Sequence, residues 1–136
     1  MTTPLLTEID HVAIAVRDLE AAIAWYRDTF GADVAHREIV DHDGVEEALL
    51  VVADSFIQLV AATRDDSPVA RYLERRGEGL HHVGYRVADC AAALQAVKDR
   101  GGRAIDEHPR PGSRGTTVAF VHPSAAFGTL IELVQE

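Results

Sequence analysis

The amino-acid sequence predicts an α+β fold of two tandem βαβββ modules whose mostly antiparallel strands form a cupped sheet. Three observations carry that expectation. The first is an ungapped internal repeat: IDHVAIAVRDLEAAIAWYRDTFGADV, from Ile9, aligns with LHHVGYRVADCAAALQAVKDRGGRAI, from Leu80, at a constant offset of 71. The second lies further along each copy, where FIQLV from Phe56 meets LIELV from Leu130 at an offset of 74, so the halves share one order of elements. The third is periodicity, because strand-like alternation gives way to helical spacing and then returns in each half.

The elements follow in order. A first strand runs through His11 towards Val16. Asp18 can cap the helix after it, Leu19, Ala22, Ile23, Tyr26 and Phe30 form its apolar stripe, and Gly31 ends it. Strands are expected over Val34–Val40 and Val45–Val52, joined by a turn at Asp43-Gly44, and then over Phe56–Val60. Ser67 and Pro68 form an N-cap and first-turn pair for a linker helix to Arg76, and Gly77-Glu78-Gly79 releases the chain into the second copy. There Asp89 caps the helix and Gly101 or Gly102 ends it. The expected organisation is a single domain, 1–136, with modules at 8–62 and 80–136 and a linker helix in 63–79.

Bulk properties bound the function. A chain of 136 residues with 47% hydrophobic content can bury a core, and its formal net charge of -9, with no basic run to offset it, argues against nucleic acid as a partner. The single Cys90 cannot form an internal disulfide, which points to a reducing compartment. No apolar stretch reaches the length of a membrane span, and MTTPLLTEID lacks a basic region ahead of a hydrophobic one, so a cytoplasmic protein without a membrane partner is expected.

The repeat also singles out chemistry. His11 aligns with His82 and Gln58 with Glu132. Alternate strand residues share a face, so His11 lies with the small residues Ala13 and Ala15, and His82 with Gly84 and Arg86. Gln58 and Glu132 are polar side chains set among alternating apolar ones, and buried polar groups need partners. A lone strand histidine is usually structural, but four polar residues at two pairs of equivalent positions suggest a shared metal site. Two imidazoles, a carboxylate and an amide oxygen suit a borderline divalent ion such as Co, Mn, Ni, Zn or Fe, with cobalt placed first. His81 points to the opposite strand face and is read as a supporting residue.

At these residues the sequence resembles the vicinal oxygen chelate, or glyoxalase-like, superfamily, and within it the methylmalonyl-CoA epimerase family. The resemblance rests on IDHVAIAV, the GV-x-E segment Gly44-Val45-Glu46-Glu47, FIQLV, DDSPVARYLERRGEGLHHVGYRV, GSRGTTVAFVHP and GTLIELVQ, and it covers nearly the whole chain. It implies His11, Gln58, His82 and Glu132 as metal ligands and Glu47 as catalytic base. It also implies a homodimer acting on methylmalonyl-CoA. The stretch LVAATRDDS after Gln58 departs from the family's LLEPT-like sequence, which widens the expected substrate to related acyl-CoA thioesters.

The implied reaction removes and returns the proton on a carbon flanked by a thioester and a carboxylate, through an enolate. Glu47 is expected to alternate with Leu49 and Val51, an apolar setting that suits a carboxylate to proton abstraction. Glu132 is a candidate for proton return on the opposite face, and His122 for an acid or supporting role. Arg110, Ser113 and Arg114, in PRPGSRGT, could contact the carboxylate or the CoA phosphates, and Arg86 could neutralise Glu132 or bind carboxylate. Two alternatives remain at this point: another metalloenzyme of the superfamily, either a glyoxalase-type isomerase or an Fe(II) dioxygenase, and a metal-independent binding or resistance protein.

Overall fold

The computed structural model describes residues 4–136; residues 1–3, part of the expected single domain, lie outside the described residues. Eight strands and three α-helices are described, with the expected order of elements. They are β1 (Leu6–Ala15), α1 (Leu19–Phe30), β2 (Val34–Val40), β3 (Val45–Val52), β4 (Ser55–Ala62), α2 (Pro68–Arg76), β5 (Gly79–Val87), α3 (Cys90–Asp99), β6 (Arg110–Pro111), β7 (Thr117–Val121) and β8 (Ile131–Gln135). The chain divides into two compact units. One comprises His11–His81, and the other the residues up to Asp10 with His82–Glu136. Among the described residues no helix is long and apolar enough to cross a membrane.

In the first unit the strands run in the order β2-β3-β4-β1. β1 and β4 are parallel, with Ala13 opposite Gln58, while β2, β3 and β4 form an antiparallel meander. Helix α1 starts where Asp18 Oδ1 accepts the Ala21 N–H at 3.0 Å, and it ends at Gly31, whose φ of 67° lies in the left-handed region that glycine adopts without strain. Its residues Leu19 and Ile23 bury against Ala48, Leu50, Leu59 and Ala61 on one sheet face. Alternation turns Glu47, Leu49, Gln58 and Val60 to the other face. The expected linker helix, α2, covers one end of that face: its Val69 and Leu73 pack with Ala15, Val45 and Val60. This packing is why α2 belongs to the first unit's core rather than merely bridging two modules.

The second unit repeats the plan with β5-β8-β7-β6. β5 and β8 are parallel with Gly84 opposite Glu132, the same register as Ala13 and Gln58 after the offsets of the repeat. Asp89 Oδ1 caps α3 at Ala92 N, 3.0 Å away, and Cys90, Ala93 and Leu94 pack on Ala119, Val121 and Leu133. Arg100 is the C-cap of α3, one residue earlier than the glycines suggested; Gly101, at φ 84°, and Gly102 then close the turn back onto Lys98 and Val97. The hairpin of the first copy is reduced here to the two-residue β6. Pro109 and Pro111 flank Arg110 and have no N–H to donate, so a longer ladder cannot form.

Candidate active site

The first unit holds His11, Gln58 and Glu47. His11 is buried on β1. Glu47, opposite Glu38 on β2 and Val60 on β4, has 0% exposure, an unusual position for a carboxylate. Gln58 Nε2 donates to Glu47 Oε2, which fixes the amide with its oxygen turned the other way. Glu47 Oε1 and Gln58 Oε1 are both buried and find no hydrogen-bond partner among the described residues. Leaving a buried acceptor unsatisfied costs about 1–3 kcal/mol, so two adjacent orphan oxygens suggest ligands from outside the chain. Glu46, the preceding residue, turns to the opposite face and pairs with Arg37 at 2.9 Å.

The second unit holds His82 and Glu132. His82 Nε2 lies 3.4 Å from Glu132 Oε1, both side chains largely buried, and the imidazole packs edge-on against Phe120 with ring centroids 5.3 Å apart. Imidazole beside carboxylate is a donor pair suited to a divalent cation.

The arginines have carboxylate partners within the chain. Arg86 Nε donates to Asp10 Oδ1 at 2.8 Å, and its terminal nitrogens lie 3.1 Å from Glu8 Oε1 and from Glu136 Oε1. These bonds hold the guanidinium above its ordinary pKa, with the Asp10 hydrogen bond the largest cause. Arg114 Nη2 reaches both Asp10 oxygens at 3.1 Å. Arg114 sits at φ 56° in the short turn Ser113–Gly115. The physical reason is Asp10 itself: at 0% exposure an ionised carboxylate requires cationic partners, and these two arginines supply them.

Ser113 spends its carbonyl within the same loop, accepting from Thr116 Oγ1 at 2.7 Å. Arg110 pairs with Asp106 at 3.1 Å. His122 Nδ1 accepts the Ser124 N–H at 3.0 Å and caps the turn Pro123–Ala125, which ties that nitrogen to its own loop. His81, on the other side of β5, packs against the Tyr72 ring at 5.0 Å. Sequence reasoning missed Asp10, although the repeat aligns it with His81 and so marks the position as polar in both copies. It also missed His36 and Glu38, two residues apart on one face of β2, near Glu47.

Residues 10–120 match the Glyoxalase/Bleomycin resistance protein/Dioxygenase superfamily. The chain is 40% identical over 134 residues to the ethylmalonyl-CoA/methylmalonyl-CoA epimerase of Cereibacter sphaeroides, covering 96% of this chain and 99% of that one. It superposes on the crystal structure of methylmalonyl-CoA epimerase from Mycobacterium tuberculosis with a TM-score of 0.94 at 41% identity, covering 99% of this chain and 91% of that one. A methylmalonyl-CoA epimerase solved in complex with methylmalonyl-CoA and NH4+ gives a TM-score of 0.92 at 41% identity, covering 96% and 95% of the two chains. Sequence and structure together show that the chain belongs to the methylmalonyl-CoA epimerase family of that superfamily.

Proposed function

We propose that this protein interconverts the (R) and (S) epimers of methylmalonyl-CoA by removing and returning the proton on the α-carbon. The observation that carries the proposal is Glu47: a fully buried carboxylate held at Oε2 by Gln58, with Oε1 lacking a hydrogen-bond partner. An oxygen placed in this way can accept a hydrogen from a bound ligand. Gln58 orients it, because the amide donates to one carboxylate oxygen and leaves the other to accept. Water is kept away on this side by Leu49 and Val60, both buried on the same face.

His11, Gln58, His82 and Glu132 are the residues that would hold a divalent ion. The orphaned Gln58 oxygen supports this assignment, since a cation would satisfy it, and the repeat places the four at equivalent positions. When bound, the ion supplies positive charge for the substrate oxygen that gains charge as the α-proton leaves. Glu132 is the candidate for proton return on the opposite face, and His82 beside it fixes its orientation. Arg86, Ser113, Arg114 and His122 stay as candidate contacts for the acyl-CoA, with the two arginines acting mainly through Asp10. Cobalt as the ion, a homodimeric state, a cytoplasmic location and the single-domain bounds belong to the same proposal and rest on family resemblance.

Ethylmalonyl-CoA is a second substrate in this reading, because the Cereibacter sphaeroides relative carries both thioesters in its name. The test is incubation of the cobalt-loaded protein with one epimer of methylmalonyl-CoA in deuterated water. Deuterium at the α-carbon together with loss of optical activity is the expected result. No exchange above the protein-free rate would overturn the assignment.

A further inference from the structure

A buried base poses a problem that Gln58 cannot solve. Once Glu47 has taken a proton, the Gln58 amide nitrogen that faces it is a donor and cannot accept that proton, so the proton needs another way out before the next turnover in the same direction. β2 supplies one. Glu38 stands directly opposite Glu47 in the β2–β3 ladder, and His36, two residues earlier, shares its face of the strand. His36 Nε2 and Glu38 Oε1 are hydrogen-bonded at 2.8 Å, and one donor or acceptor atom from each of His36, Glu38 and Glu47 lies within 4.8 Å of the other two. That separation is one a single water molecule closes.

Exposure rises along this row. Glu47 is sealed at 0%, whereas the His36 and Glu38 side chains are each 35% exposed, on the outermost strand of the first unit's ladder. Arg37 keeps the row aligned. It points to the opposite face, where it pairs with Glu20 at 2.6 Å and with Glu46 at 2.9 Å, so β2 cannot rotate its histidine away without breaking two ion pairs. The cluster has the donor types of a small cation site, but a cation there would neutralise Glu47, the group the reaction needs as a base.

We infer that Glu38 and His36 form a proton path between Glu47 and solvent. The inference rests on Glu47 being the base, as proposed above. The balance is simple: the α-proton moves to Glu47, Glu47 passes one proton to Glu38, Glu38 passes one to His36 Nε2, and His36 gives one to water from Nδ1, leaving Glu47 and Glu38 ionised and His36 neutral. The reverse order reloads it. Neither residue touches the reacting carbon; both act through Glu47.

The experiment compares wild type, His36→Phe and Glu38→Gln, each cobalt-loaded and each confirmed folded by its melting curve. Epimerisation and deuterium uptake into the recovered starting epimer are followed together in deuterated water. With the path cut, Glu47 returns the original proton, so deuterium uptake per epimerisation falls by about a hundredfold, the lower end of the range for acid–base contributions. kcat falls with it, while kcat/KM changes less, since resetting the enzyme matters most when substrate is saturating. Added 2-methylimidazole, a small proton carrier, restores kcat in the variants and leaves wild type unchanged. An unchanged deuterium ratio in both variants would overturn the path. So would a parallel fall of kcat and kcat/KM that the carrier does not relieve, because that is the signature of lost structure. Failure of the wild type itself to epimerise would instead sink the functional proposal, which keeps the two outcomes separate.

Discussion

The two copies of the repeat share a backbone register and differ in where they bury an acid. In the first, Glu47 pairs across the ladder with Val60; in the second, Val118 pairs with Val134. Val60 and Val134 are equivalent at the offset of 74, so Val118 is the counterpart of Glu47, and it is an ordinary core residue at 3% exposure. On the last strand the pattern reverses, with neutral Gln58 in the first copy and anionic Glu132 in the second. A position that one copy fills with valine is apolar by default. The carboxylate at the same place in the other copy breaks the local rule at a cost, which is what functional positions do.

Substitutions that erase this asymmetry should have the largest effects. Glu47→Gln keeps shape and burial but removes the base, so exchange of the α-proton is expected to fall by about 10²–10⁴-fold while cobalt binding, followed by its visible spectrum, persists. His82→Ala removes a nitrogen donor beside Glu132 and is expected to lose both. A Glu47→Gln protein with full exchange would show that the burial of this acid has another purpose.

The reverse substitution tests the same contrast through stability. Val118→Glu would place a carboxylate at a core position with no Gln58-like donor, because Glu132 replaces it in the second copy. An unfolding free energy lower by about 3 kcal/mol or more is expected in urea denaturation, in line with an uncompensated buried charge. Tolerance of Val118→Glu would mean that the site, rather than the partner, makes Glu47 bearable.

The smallest effects should be symmetric. Asp18 and Asp89 are equivalent caps, each accepting an N–H three residues on at 3.0 Å. Asp18→Ala and Asp89→Ala are each expected to cost about 1 kcal/mol. Unequal costs would show that the two helices contribute differently to their units.

Much of this was legible in the residues. The bounds of α1 and of β2 and β3 follow from Asp18, Gly31 and the Asp43-Gly44 turn, since capping and turn chemistry act over three or four residues. The face shared by His11, Ala13 and Ala15 follows from alternation alone. The parallel pairing of β1 with β4 was not legible, because pairing across a crossover leaves no local signature. Nor was α2's place over Val45 and Val60, which depends on apolar contact between distant segments.

The sequence by itself determined which elements form, that they form twice, and which four polar residues stand out from their strands, because periodicity and repetition are properties of the chain before it folds, whereas Glu47 was singled out by the family resemblance. Tertiary structure alone decided the partners. Arg86 meets Asp10 across 76 residues and Arg114 meets it across 104, so the arginines expected to serve an anionic ligand are drawn first to a buried carboxylate. It also decided that Glu47 is buried yet lies within 4.8 Å of ligand atoms of Glu38 and His36. Charge pairing and burial depend on distance in space, and only the folded chain defines that distance.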